Sequence, residues 1–199
     1  MARSLTVVKV GGSLYDLPDL RSRLQPWLSQ AKSTDIILVP GGGATVDVIR
    51  DFDRVHRLGE ERAHCLALAA MRLNAEFLSR VLGSVDVMPH WDQIEMLRSE
   101  GAQSFVLDAV AFDLWDRMTN PHGALPRRWS VTSDSIAARA AVVAEAEHLV
   151  LLKSVTIPEG MDWEEAGRCG FVDEWFARTV RPALPRLKVS AVNLRDWHP

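Results

Sequence analysis

Cysteine is scarce in this sequence. Cys65 and Cys169 are its only two, they stand far apart, and neither belongs to a CxxC pair. That excludes a disulfide framework and a cysteine zinc site, and predicts a reducing, cytoplasmic setting. No apolar run approaches the roughly 18 residues needed to cross a bilayer. The first residues, interrupted by Lys9 and running straight into Gly11-Gly12, carry no secretory h-region or cleavage site. No charge of one sign dominates either: Lys and Arg number 23 against 26 Asp and Glu, a formal charge of −3. No global field therefore favours nucleic acid or an anionic membrane. GxGxxG after the first strand, GxxxxGK[ST], HExxH and GxSxG are all absent. The Rossmann, P-loop, zincin and α/β-hydrolase mechanisms thus lack their required residues. The histidines show no ligand spacing, so no transition-metal site is assigned.

What is present is ordinary globular material, 47% apolar and 25% charged over 199 residues, enough for one domain spanning 1–199 with a full core. Short β-branched runs alternate with longer segments of helical period, the pattern of an α/β protein with a mainly parallel sheet and helices on both faces. Strands are predicted over Leu5 to Val10, Asp35 to Pro40, Val85 to Met88, Ser104 to Leu107, Leu149 to Leu152 and Val189 to Val192. Helices are predicted over Leu17 to Ala31, Gly43 to Leu58, Glu60 to Leu82, Ser135 to Ala146 and Asp173 to Leu184. The Glu60 to Leu82 helix is apolar on more than one face and is expected to be mostly buried. Asn120 to Arg128 reads as a loop. The seven Trp are scattered, which suits packing better than a stacking platform.

Two glycine clusters close the first two strands: Lys9-Val10-Gly11-Gly12-Ser13 and Val39-Pro40-Gly41-Gly42-Gly43. Strand ends of an open parallel sheet are where ligands gather. Glycine lets backbone N–H groups approach a phosphate closely, and the following helix N-termini add positive dipole. The other reading is two tight βα turns. Lys9 lies in an otherwise apolar strand, where a charge is expensive to bury unpaired. Lys153 ends the strongest C-terminal strand in the same way. Two lysines at two strand ends suit a polyphosphate. The cluster Thr132-Ser133-Asp134-Ser135 opens an alanine-rich helix. Ser133 or Asp134 would cap it, or Asp134 would hold the lysines while Thr132, Ser133 and Ser135 line a phosphate path. On the long helix, His64 accompanies Arg72 and Asn74 as a core histidine or an acceptor contact. Asp51 and Asp53 read as a solvated helix face. Arg127 and Arg128 would close over a phosphate or face water.

Taken in order, Lys9-Val10-Gly11-Gly12-Ser13, Pro40-Gly41-Gly42-Gly43, Thr132 to Ala138 and Leu151-Leu152-Lys153-Ser154 resemble the amino acid kinase superfamily. Ala63-His64, Ala70-Met71, Trp129 to Ala138, Lys153 and Val172 to Phe176 are most similar to its small archaeal-type kinases acting on 5-(aminomethyl)-3-furanmethanol phosphate. The resemblance implies a three-layer α/β/α sandwich with the phosphoryl acceptor in the N-terminal half and ATP in the C-terminal half. It implies ATP and Mg²⁺ as cofactors and a small-molecule phosphate monoester as partner, converted to a diphosphate. A homo-oligomer is compatible with it; nucleic acid and membrane are not expected partners. Lys9, Asp134 and Lys153 would be catalytic. Gly11, Gly12, Ser13, Gly41, Gly42, Gly43, Thr132, Ser133 and Ser135 would bind nucleotide or phosphate, and His64 and Arg72 the acceptor. Two departures stand out: Lys153-Ser154 replaces a Thr-Asp pair, and no Gly-Met-x-x-Lys segment supplies a second lysine. Lys153 or Arg178 would take over that charge, and the adenine pocket would form around Ser154 to Trp163. The rival readings are a kinase of a carboxylate or isoprenoid phosphate, and a non-catalytic nucleotide- or oxyanion-binding protein of the same fold.

Overall fold

A computed structural model describes residues 4–30, 34–99 and 104–198. Six strands form one sheet: β1 (Ser4–Val10), β2 (Thr34–Pro40), β3 (Asp86–Met88), β4 (Ser104–Leu107), β5 (His148–Lys153) and β6 (Lys188–Asn193). Their order is β3-β4-β2-β1-β5-β6, and every neighbouring pair is parallel. The helices are α1 (Leu20–Gln30), α2 (Gly43–His56), α3 (Glu60–Leu82), α4 (Ile94–Ser99), α5 (Ala109–Thr119), α6 (Ser133–Val143), α7 (Trp163–Arg168) and α8 (Phe176–Val180).

Alternation along the strands explains the layering, since successive side chains point to opposite faces of the sheet. Val7, Ile37, Val39, Phe105, Leu107, Leu149 and Leu151 pack on one face with α6 and the first half of α3. Val8, Val10, Ile36, Leu38, Val106 and Leu152 pack on the other with α1 and the second half of α3. The sheet is therefore sandwiched between helices, a three-layer α/β/α arrangement. At 23 residues, α3 is roughly 35 Å long at 1.5 Å per residue. It contributes Ala67, Leu68 and Met71 to one core and Ala75, Leu78 and Leu82 to the other. That accounts for its broad apolar surface, but the expectation of near-complete burial fails at Leu66, Phe77 and Leu73, the last 61% exposed.

Elsewhere the boundaries move. The α6 helix starts two residues earlier than predicted, with Thr132 as its N-cap rather than Ser133 or Asp134. The segment read as one helix from Asp173 contains only α8 and a short 3-10 turn, because Asp173 is spent on other bonds and Pro182 follows the helix. The first predicted helix ended at Ala31, which lies outside the described residues. Three helices, α4, α5 and α7, were not foreseen.

The chain winds outward from β1 to β2 and onward, then crosses back to place β5 on the other side of β1. That reversal leaves a crevice beyond the carboxyl ends of β1 and β5, where an open parallel sheet binds its ligands.

Candidate active site

Strand register carries the two lysines to this crevice. Lys9 pairs with Leu151 across β1 and β5, so Lys153, two residues further along, projects from the same face one step nearer the strand ends. Lys9 shares that face with Val7, against α6. Its Nζ lies 3.0 Å from Oδ1 of Asp134 in the first turn of α6, and the Lys153 Nζ lies 2.6 Å from Oδ2. Lys9 and Asp134 are each 6% exposed, so neither ion would be tolerable without the other.

The local electrostatics follow from two cations around one anion. Burial alone would raise the Asp134 carboxyl, but Lys9 and Lys153 outweigh it and hold the group below the ordinary carboxylate range. Burial, reinforced by repulsion from Lys9, pulls the Lys153 ammonium below the usual lysine value, with Asp134 opposing. The three side chains sum to one positive charge near the strand ends, which the Asp173 carboxylate, also attracting Lys153, partly offsets.

Above the lysines the two glycine turns meet backbone to backbone. A Cβ on Gly12 would collide with the Gly43 nitrogen, and one on Gly41 with the Gly12 nitrogen. Both turns thus stand on one rim of the sheet. Their roles differ, however. Gly11 donates its amide to the Leu152 carbonyl at 2.9 Å and Gly41 donates to Val10 at 2.8 Å. These two extend the ladders and permit close approach; contrary to the expectation that they donate to a phosphate, their amides are already committed. Gly12, Ser13, Gly42 and Gly43 line the open cavity together with Lys9. The Ser13 hydroxyl is 2.8 Å from that of Ser154, tying the first turn to the segment after β5.

A device that sequence reasoning missed fixes the second turn. Asn74, buried in the middle of α3, donates its amide to the Gly41 carbonyl at 2.8 Å and to the Gly42 carbonyl at 2.7 Å. Thr45 donates to Asn74 Oδ1, and the Tyr15 hydroxyl reaches the Gly41 carbonyl. Both carbonyls are thereby held from behind. The one available signal was a polar residue on the buried face of a helix, which must find partners.

The start of α6 also differs from expectation. The Asp173 carboxylate accepts from the Thr132 amide at 3.0 Å, the Thr132 hydroxyl at 2.8 Å, the Ser135 amide at 3.0 Å and the Ser135 hydroxyl. An anion does sit at this helix N-terminus, but it belongs to the protein. Ser135 is fully buried against it and does not line the cavity, whereas Thr132 and Ser133 do.

His64 lines the cavity and its Nδ1 is 2.9 Å from the Arg128 carbonyl. That partner can only accept, so Nδ1 carries the proton. Burial holds the ring below its ordinary value, and therefore neutral. Arg72 points elsewhere, pairing at 3.1 Å with Asp108, the N-cap of α5; it is not part of this cavity. Arg127 neither closes over the site nor faces water, because Asp113 holds it at 2.6 Å. Arg178 lies over Trp175 beside a second cavity of about 390 Å³ between α7 and α8, which Asp173 also lines. Of the segment Ser154 to Trp163, only Trp163 lines that second cavity.

Residues 4–156 match the Amino acid kinase family. The chain belongs to that family. Among curated relatives, the amino acid kinase chain is 24% identical over 150 residues to the [5-(aminomethyl)furan-3-yl]methyl phosphate kinase of Methanocaldococcus jannaschii. That alignment covers 75% of this chain and 65% of the relative's length. Among solved structures, the uridylate kinase of Archaeoglobus fulgidus superposes with a TM-score of 0.67 at 18% identity, covering 96% of this chain and 92% of that one. The UMP kinase of Ureaplasma parvum gives 0.68 at 13% identity, covering 97% and 91%. Fold and family agree with the motif order. Among the described residues no helix is long and apolar enough to cross a membrane, and no three His, Cys, Asp or Glu side chains are grouped to hold a metal.

Proposed function

We propose that this amino acid kinase chain transfers the γ-phosphoryl group of ATP to a small phosphate monoester, giving a diphosphate, and that the acceptor is of the aminomethylfuran methyl phosphate class named for the Methanocaldococcus relative. The observation that carries the reading is the Lys9–Asp134–Lys153 cluster beneath the two glycine turns. Phosphoryl transfer requires little covalent participation by the protein; it requires positioning and charge neutralisation. Lys9, fixed by Asp134, would neutralise charge on the equatorial oxygens of the transferring group. Lys153 would do the same from the β5 side, standing in for the missing second lysine. Gly12, Gly42 and Gly43 would donate backbone N–H groups to the phosphates. Asp134 serves as organiser rather than base, since both its oxygens are committed to ammonium groups.

The donor set suits magnesium carried on the nucleotide oxygens better than magnesium in a protein cage, because the one buried carboxylate at the centre is already paired. When bound, that ion would supply neutralising charge to the nucleotide phosphates. The cavity beside the glycine turns measures about 230 Å³. That is below the ~300–1,000 Å³ of sites that enclose drug-sized ligands, which supports a compact acceptor. The reading further places ATP toward the C-terminal half and the enzyme in the cytoplasm.

The test is incubation of the full chain with γ-labelled ATP, Mg²⁺ and a panel holding [5-(aminomethyl)furan-3-yl]methyl phosphate, isoprenoid phosphates and acylamino acids. Label in a diphosphate of the furan compound supports the proposal. Label only in an isoprenoid diphosphate or an acyl phosphate would reassign the acceptor, and nucleotide binding without transfer to any of them would indicate a binding protein.

A further inference from the structure

One wall of the cavity rests on three side chains whose sequence context gave no hint of cooperation. Trp129, in the connection before α6, and Arg50 of α2 both line the cavity. The Arg50 guanidinium carbon stands 4.3 Å from the centroid of the Trp129 ring, within cation–π range. The indole Nε1 donates at 2.8 Å to Oδ2 of Asp53, whose Oδ1 accepts the Gly59 amide at 3.0 Å. Asp53 does not line the cavity. It lies one turn along α2 from Arg50 and joins α2, the α2–α3 turn and the Trp129 segment through a single carboxylate. What read as a solvated acidic face is an anchor for an aromatic wall.

From this arrangement we infer that Trp129 is the size-determining residue of the acceptor site, and that Asp53 is a positioning residue acting through it. The inference rests on the proposed kinase reading and deepens it. Held by Asp53, the indole cannot swing out, and Arg50 stacked on it narrows the opening further. The cavity, about 230 Å³, is smaller than the ~300–1,000 Å³ usual for drug-sized ligands. A phosphate on a single small ring fits that space. A nucleoside monophosphate, which adds both a sugar and a base to its phosphate, would have to extend past the Trp129 wall. The same fold accommodates enzymes titled UMP kinase and uridylate kinase. In this chain, the Arg50–Trp129–Asp53 group is the physical reason for a different acceptor class.

The experiment compares the full-length wild type with Trp129→Ala, Asp53→Ala and Asp53→Asn. UMP affinity is read by isothermal titration, and the KM values for ATP and the furan phosphate are read in the transfer assay. Thermal melting shows that each variant is folded. The wild type is expected to bind UMP weakly. Trp129→Ala should bind UMP more tightly by on the order of 10-fold or more, the scale on which pocket size discriminates, with the ATP KM unmoved. Asp53→Ala should tighten UMP binding in the same way, by less. Asp53→Asn keeps one acceptor oxygen for the indole N–H but turns its NH2 toward the Gly59 amide, so it should fall between the wild type and Asp53→Ala. Unchanged UMP affinity in Trp129→Ala, or in Asp53→Ala, would overturn the inference. The UMP titration needs no phosphoryl transfer, so failure of the kinase reading would show separately, as absence of label in every acceptor.

Discussion

Asn74 reaches from the middle of α3 to the Gly42 carbonyl at 2.7 Å, so a helix interior controls the attitude of a turn that follows a different element. The same amide nitrogen holds the Gly41 carbonyl. With both carbonyls drawn toward α3, the turn cannot rotate to present oxygen to an anion. Asn74→Ala leaves two carbonyls without this donor, a change expected to cost about 1–3 kcal/mol. At ~2–4 °C per kcal/mol for a chain of this size, differential scanning calorimetry should find a clearly lower melting temperature. The KM for the phosphate acceptor should rise more than that for ATP. Equal changes in both would assign Asn74 to general stability alone.

Gly12 and Gly43 carry a steric prediction. Because their backbones touch, a methyl group on Gly12 has nowhere to go: the obstructing atoms are main chain, not the tip of a flexible side chain. Gly12→Ala should separate the turns, destabilise the fold by ~1–3 kcal/mol or more, as overpacking does, and remove phosphate binding. Gly160, with open space around its Cβ position, provides the contrast. Its backbone angle still carries strain for alanine, so Gly160→Ala should cost some stability but leave binding intact. Melting curves and phosphate titration of the two variants separate the effects.

How much of this was legible in the sequence depends on the range of the interactions. The first two strands were placed to within a residue, because Leu5 to Val10 and Asp35 to Pro40 are apolar runs closed by glycine and need no distant partner to be recognised. The Lys9, Lys153 and Asp134 candidates were found because a charge in an apolar run, or at the head of an alanine-rich helix, is locally anomalous. Asn74 and Asp53 were not assigned their roles, since their partners lie in segments 33 and 76 residues away and no local pattern marks such a contact. Thr132 and Ser135 looked free to bind phosphate only because Asp173, which occupies them, comes 38 residues after Ser135. The α5 helix escaped notice although Asp108 caps it properly; its mixture of Val, Phe and Trp has weak intrinsic helix preference and depends on packing for its form.

Asp173 yields a further test. Its carboxylate accepts bonds from Thr132, Ser135 and Trp175 at the head of α6. Asp173→Asn replaces an acceptor-only group with one that also donates, which conflicts with this ring of N–H donors. A loss of about 1–3 kcal/mol is expected, the cost of leaving such groups unsatisfied, together with looser α6 amides in hydrogen exchange. Unaltered exchange at Ser135 would show that the helix head does not depend on this residue.

The shifted lysine and carboxylate set the pH behaviour. Asp134 is held below its ordinary value, so it contributes stability that is present above the unfolded value of about 3.9 and is lost as pH falls through the lower folded value. Asp134→Asn should remove that acid-sensitive component from urea unfolding curves. Lys153 is also lowered. Between its folded value and about 10.4 the unfolded chain binds more protons, so its contribution to stability rises with pH there. Its charge disappears at lower pH than that of a free lysine, so the alkaline limb of the rate profile should fall early. Lys153→Arg should push that limb upward, and an unmoved limb would exclude Lys153 as its source.

Lys9 provides the most direct measurement. In single-turnover transfer from labelled ATP to the furan phosphate, with nucleotide affinity measured on the same samples, Lys9→Ala should slow the chemical step by on the order of 10²-fold or more, the scale of lost electrostatic preorganisation, while ATP still binds. Transfer at the wild-type rate by that variant would contradict the account, because the cation held by Asp134 would then have no part in the reaction.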